Sequence, residues 1–320
     1  RGDGFEFALL WRLSELYQAE GDSRQALRAL REAATHFPGS RRGEEIGARM
    51  CEVFLAAFDP GAKSPLPALV SLSLYDEFPE LTPAGPEGDA LIAHLADRLV
   101  EVDLLKRAGD LLEHQVRFRL SGMEKAATGT RLATIRMLDR LPAAALEALD
   151  VSADDTAFPE ELRDRRIRVR ARALVDLGRP NEGLALLDGD DSERTRALRA
   201  RIFWQLNDWP RVASEMASLL PSPPWSGETL TAASSRLVLD TAIALTLAGD
   251  PGGELEGLRR AYGSAMALGP HKEAFVLVAG ESATARSGSL AAQLAASDTA
   301  LAFMDSYRAG LEARGDPTPE

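Results

Sequence analysis

Along most of this chain apolar residues recur at intervals of three and four, and polar residues fill the positions between them. From Phe7 to Tyr17 the text FALLWRLSELY puts Leu10, Leu13 and Tyr17 on one stripe of a helix. Gly21-Asp22 ends that helix and starts the next, because Gly tolerates the left-handed conformation at a helix C-terminus and Asp, or the following Ser, caps a new N-terminus. Ala26 and Ala33 are small where two helices must approach closely, Leu30 lies between them, and Pro38 stops continuation. The pattern predicts a helical hairpin over 7–40.

The same frame returns downstream with fewer matches. Leu95, Ala96, Leu99, Ala108 and Leu112 mark a hairpin over about 89–121, and Leu132, Ala133, Ala145 and Leu149 mark the next, with Pro142 in the first turn of its second helix. Ala171, Leu174, Gly178, Gly183 and Leu187 form a third. Ala200, Phe203, Asn207-Asp208-Trp209 and Met216 form a fourth, and Ala242, Leu245, Gly249-Asp250 and Leu258 a fifth. Units of this kind cannot bury their apolar faces alone, so they should stack into an α-solenoid. No strand is needed anywhere.

Two proline-rich stretches interrupt the pattern. Asp59 to Asp89 holds Pro60, Pro65, Pro67, Pro79, Pro83 and Pro86, which leaves room for one helix at about 66–78, the second half of an atypical repeat within 41–88 whose first half is about 42–58. Leu219 to Thr229 holds Pro221, Pro223, Pro224 and Trp225 and reads as a long loop and hinge. The expected organisation is therefore a solenoid part at 1–218, a loop at 219–229, a second solenoid part at 230–313 and a frayed tail at 314–320. In the second part, Leu290, Leu294, Leu301, Met304 and Leu311 mark a terminal capping helix at about 288–313.

The first hairpin resembles the tetratricopeptide repeat (TPR). Its Leu10, Leu13, Tyr17, Gly21, Ala26, Leu30, Ala33 and Pro38 fall at the offsets of that repeat of about 34 residues. The segment from Pro65 to about Leu149 also looks like part of large, poorly characterised bacterial TPR proteins. The resemblance implies an all-α, right-handed α-solenoid of about six to seven helical hairpins with a C-terminal capping helix. It also implies a scaffold whose concave surface, lined by the first helix of each hairpin, holds a segment of a partner protein. One departure matters: the subgroup that grips a C-terminal carboxylate uses Lys and Asn at inner first-helix positions, where this chain has Trp11 and Glu15. Carboxylate-clamp binding is not expected.

Composition narrows the function classes. The chain has 320 residues, 37 Lys+Arg against 49 Asp+Glu for a formal net charge of −12, and 45% hydrophobic residues, which excludes global disorder. One cysteine, Cys51, excludes an internal disulfide and cysteine-built metal sites, and within MCEVFLAAF it reads as a small core residue. No run approaches the roughly 18 apolar residues of a membrane span. Arg1-Gly2-Asp3-Gly4 lacks an initiator Met and the zones of a signal peptide, so a fragment or processed chain is expected, and the compartment stays open between bacterial cytoplasm and periplasm. The four histidines show no metal-ligand spacing, and no nucleophile elbow, phosphate loop or dinucleotide fingerprint is present. No catalysis, cofactor or metal is expected. Asp188-Gly189-Asp190-Asp191-Ser192-Glu193 lacks the spacing of a calcium loop and reads as a turn with a helix cap.

The charge feature with most information is ELRDRRIRVRARALVDLG, which contains Arg163, Arg165, Arg166, Arg168, Arg170 and Arg172. Its alternation resembles a strand locally, but the following Ala-Leu-Val-Asp-Leu-Gly restores the helical frame. On a helix Arg165, Arg168 and Arg172 share a face, the concave one by the repeat frame, and Arg194 and Arg201 occupy matching positions on the next first helix. Together they form a basic patch suited to an acidic partner segment, or they are solvated or paired with Glu160, Glu161, Asp164 and Asp176. Trp11 and Trp204, also at concave offsets, are either interface anchors or buried against the neighbouring repeat. The net negative charge opposes nucleic-acid binding. The expectation is a non-enzymatic protein–protein interaction scaffold. Its competitors are a self-association module and a regulatory solenoid attached to a catalytic or membrane-anchored part outside this sequence.

Overall fold

The computed structural model describes residues 4–59, 61, 66–153, 158–223, 229–250 and 253–279. Among these the chain forms fifteen α-helices and one 3-10 turn, with no strand. None of these helices is long and apolar enough to cross a membrane. The expected capping helix at 288–313 and tail at 314–320, with Pro60, Pro65, Pro224 and Trp225, lie outside the described residues.

The chain divides into two compact units, residues 1–177 and 178–320. In the first, α1 (Gly4–Ala19) packs on α2 (Ser23–Thr35), α2 on α3 (Arg41–Ala57), and α4 (Ala68–Glu77) on α5 (Pro86–Glu101). From α5 the order continues through α6 (Leu105–Phe118), α7 (Gly122–Leu138), α8 (Pro142–Val151) and α9 (Glu160–Asp176), each packed on the one before. Contacts also skip one element, α7 to α9 and α6 to α8, so successive hairpins stack. The proline-rich 41–88 stretch supplies α3, α4 and the 3-10 turn Pro79–Leu81, and Phe54, Leu74 and Phe78 sit fully buried in the unit's core. Arg24 and Arg28 of α2 bind Glu77 at 2.5 and 2.6 Å, and Arg31 stacks 3.9 Å over the Phe78 ring, which straps α2 to the end of α4.

In the second unit, α10 (Pro180–Leu186) is followed by α11 (Glu193–Gln205), α12 (Trp209–Leu219), α13 (Ala232–Leu247), α14 (Glu254–Met266) and α15 (Lys272–Ala279). Its own core gathers Phe203, Val212, Leu239, Ile243, Tyr262 and Phe275. The division of the chain falls after Leu177, between the two helices of the expected third hairpin. The 219–229 stretch lies inside the second unit, and α12 and α13 on either side of it pack on one another.

One turn geometry recurs. The N–H groups of Asp22, Leu104, Leu141, Asp208 and Asp250 donate to the carbonyls of Tyr17, Leu99, Arg136, Phe203 and Leu245, each five residues back, at 2.8–3.0 Å. The residue preceding each donor, Gly21, Asp103, Arg140, Asn207 and Gly249, has a positive φ. This 6→1 closure satisfies carbonyls that the helix end leaves unpaired and reverses the chain in two or three residues. The Asp that follows Gly21 and Asn207 then caps the next helix: Asp22 accepts from the Gln25 N–H at 3.0 Å and Asp208 from the Arg211 N–H at 3.4 Å.

Candidate functional site

Residues 160–176 form a helix, and its arginines sort by face. Arg166 points into the first unit, where its guanidinium donates to the Ala126 and Leu149 carbonyls at 2.9 and 2.6 Å and to Thr130 Oγ1 and Ser152 Oγ at 3.1 Å. Those acceptors belong to the facing sides of α7 and of the α8 C-terminus, so Arg166 pins α9 to both, with its guanidinium 5.3 Å from the Phe158 ring. Arg170 pairs with Asp150 at 2.5 Å, and Arg163 lies 3.7–3.8 Å from Asp164 and Glu160. These three arginines are accounted for by packing and local pairing.

Arg165, Arg168 and Arg172 share the other face, as the spacing predicts. Arg165 is exposed and has no ion-pair partner among the described residues; Arg168 and Arg172 are half-buried. Burial pushes the Arg172 pKa below its ordinary value, Asp176 opposes that shift, and the like charge of Arg140 adds to it. Arg131 of α7 behaves alike: burial lowers its pKa, and so does the neighbouring Arg165. Arg131 in turn forms an ion pair with Asp97 of α5.

Arg131, Arg140 and Asp97 escaped the sequence reading, although a signal for two of them exists. Asp97, Arg131 and Arg165 are 34 residues apart, whereas the turn residues Asp103, Arg140 and Gly178 are 37 and 38 apart. Each step therefore moves the row back by about one helical turn along the next first helix. The result is an oblique row, Asp97 to Arg131 to Arg165, crossing α5, α7 and α9.

Compared with known proteins, the chain matches no family model and no curated protein at a significant level. Its site must be read from its own residues.

Arg194 and Arg201 lie on α11 in the second unit, the first exposed and the second half-buried. The five arginines of the expected patch thus fall as three on one unit and two on the other. Trp11 is half-buried against the first core, its ring 5.6 Å from Phe7, and its indole N–H donates to Glu15 at 3.2 Å. Trp204 packs on the second core and meets Trp209 edge-on at 5.3 Å; its indole N–H is buried and makes no hydrogen bond among the described residues. Both indoles therefore contribute to cores, with only part of each ring left to a partner.

Among the described residues no group of three His, Cys, Asp or Glu side chains is placed to hold a metal ion. Cys51 is half-buried against the first core. The second unit carries an open groove of about 490 Å³ between α12 and the α13–α14 turn, lined by Ala213, Ala217, Leu245 and Ala248 together with Asp250 and Glu254.

Proposed function

We propose that this chain is a TPR-like, right-handed α-solenoid of six to seven helical hairpins and works as a non-enzymatic scaffold that holds an acidic segment of a partner protein. Support for the repeat reading comes from the 6→1 turn recurring at five hairpins and from hairpins that stack one on the next. The observation that carries the binding reading is the arginine face of α9. In a protein of net charge −12, Arg165 stands exposed on this face beside the like charge of Arg131. Like charges held together disfavour one another, and an incoming carboxylate relieves that repulsion while gaining charge-assisted hydrogen bonds. Arg194 and Arg201 are proposed as contacts on the second unit in their own right, and Trp11 on the first unit and Trp204 on the second offer the exposed part of their rings as apolar anchors.

The test is affinity capture from lysate of the native cell with the wild-type chain and with an Arg165→Glu/Arg168→Glu variant, read by mass spectrometry, after circular dichroism has shown equal helical content. An acidic partner lost in the variant supports the reading; an identical protein list from both chains overturns it. Self-association is a second reading, favoured by α1, which leaves Phe5, Leu9 and Leu16 exposed. Light scattering across a hundredfold concentration range tests it, and a mass that stays monomeric rejects it.

A further inference from the structure

The groove of the second unit has an apolar floor and a rim of one charge. Its floor is one face of α12, where Pro210, Ala213, Ser214, Ala217 and Ser218 recur at three and four, a face about 12 Å long at the helical rise. None of these side chains is larger than proline, and Ser214, Ala217 and Ser218 are exposed, so the α12 backbone is open to close approach. Leu245 and Ala248, at the C-terminal end of α13, form the facing wall, and Asp250 and Glu254 stand at the rim. One Asp250 carboxylate oxygen accepts from the Leu255 N–H at 3.2 Å, and Glu254 is exposed. Neither carboxylate forms an ion pair among the described residues, and no Lys or Arg lines the groove.

We propose that this groove docks a basic amphipathic α-helix of a partner protein, which lays small residues along α12 and sets a Lys or Arg against Asp250 and Glu254. The site is independent of the arginine face of α9 and opposite to it in charge. It also lies on α12 and at the start of α14, the second helices of their hairpins, whereas the TPR resemblance places a partner on first helices. Small side chains on both surfaces let two helix axes come to about 8 Å, the near end of helix packing. A helix about 10 Å across fills roughly 900 Å³ over 12 Å of its length. A groove of about 490 Å³ therefore takes about half of its section, burying one face and leaving the other wet. The two unpaired carboxylates give the cation its place, and the net charge of −12 draws a basic segment in.

The experiment uses the full chain and a phage-displayed library of peptides of about 16 residues, long enough to form a helix. The library is depleted on an Ala217→Trp variant and then selected on the wild-type chain. Ala217 is exposed, so the added indole fills the groove from the surface, and circular dichroism and the urea midpoint check that the fold is kept. The enriched peptides should carry Lys or Arg three or four residues from Ala, Ser or Gly. A fluorescein-labelled peptide of their consensus, titrated by anisotropy, should bind Ala217→Trp at least about tenfold more weakly than the wild type. Glu254→Lys should weaken it about fivefold, a loss that shrinks as salt is raised. Two central prolines in the peptide should abolish binding. No enrichment, or enrichment of acidic or uncharged peptides, overturns the proposal. Binding that tolerates the prolines overturns the helical occupant, and unchanged affinity for Glu254→Lys overturns the role of the rim. A mass that rises with concentration in light scattering, and that Ala217→Trp returns to monomer, gives the groove to a second copy of the chain and overturns the partner.

Discussion

Ser152 fills the space that a side chain on Gly129 would need. A Cβ built on Gly129 overlaps both the Cβ and Oγ of Ser152, which closes α8 by donating to the Ala148 carbonyl at 2.7 Å and accepts from Arg166 at 3.1 Å. Glycine at 129 thus lets α7 approach the α8 C-terminus closely enough for one arginine of α9 to bind both. Gly129→Ala should destabilise the chain by about 1–3 kcal/mol, since Ser152 must move and the Arg166 bonds with it. Gly47→Ala, in α3 with nothing within 4 Å of the added methyl, should instead stabilise by about 0.5–1 kcal/mol. Urea denaturation followed by circular dichroism separates the two; a neutral Gly129→Ala would show that Ser152 adjusts freely.

The arginine run of α9 makes two opposite predictions from one composition. Arg166→Ala strands the Ala126 and Leu149 carbonyls and two hydroxyls in a half-buried site, and should cost about 2–4 kcal/mol. Arg163→Ala, whose nearest carboxylates lie 3.7–3.8 Å away at the surface, should leave the unfolding midpoint unchanged. Arg166→Lys should recover little, because an ammonium cannot reach four acceptors spread across a planar fork. Equal effects at 163 and 166 would refute the assignment of faces.

That contrast also marks where sequence reading stops. The spacing of three and four puts Arg165, Arg168 and Arg172 on one side of a helix, and residues 160–176 do form a helix. It could not say that Arg166 would be drawn inward, since its acceptors are backbone carbonyls and hydroxyls 14 to 40 residues away that carry no charge signal. The hairpin turns were legible at Gly21-Asp22 and Asn207-Asp208-Trp209, where residue types suited to positive φ stand next to a capping Asp. At Asp103 and Arg140 the same turn is made by residues with weaker preference for it than glycine, closed by the same 6→1 hydrogen bond. The division after Leu177 has no compositional mark, and the proline-rich 219–229 stretch falls within the second unit, between two helices that contact one another.

Acid should loosen the first unit through two carboxylates. The hydrogen bond from Arg28 outweighs burial at Glu77, helped by Arg24, and holds its pKa below the ordinary 4.5. At Glu113 burial pushes upward, but hydrogen bonds from Arg117 and Arg136 prevail and the net shift is again downward. A carboxyl whose pKa is lower folded than unfolded adds stability that is fully present above the unfolded value and is lost as pH falls through the folded one. Melting temperature should therefore be flat above about pH 5.5 and fall progressively below about pH 4.5. Glu77→Gln and Glu113→Gln should each lower the melting temperature at pH 7 and flatten its descent in acid; an unchanged slope in both variants would place the acid sensitivity elsewhere.

Asp103 sits at φ 61° in the turn between α5 and α6, where the first hairpin has Gly21 at φ 81°. Its backbone is committed to that conformation by the Leu104 N–H, which donates to the Leu99 carbonyl at 2.8 Å and closes the helix end. A side chain in the left-handed region costs about 1–2 kcal/mol, and glycine removes that cost while adding somewhat less than 1 kcal/mol of freedom to the unfolded chain. Asp103→Gly should therefore raise stability by roughly 0.5–1 kcal/mol. Asp103→Val, with a branched Cβ in the same turn, should lower it by more than that, because β-branching makes positive φ a genuine strain. Both are read from urea midpoints at neutral pH. If glycine destabilised the chain and valine did not, the turn would owe its shape to the Asp103 side chain and not to the 6→1 closure, and the same reasoning would then fail for Arg140 and Asn207.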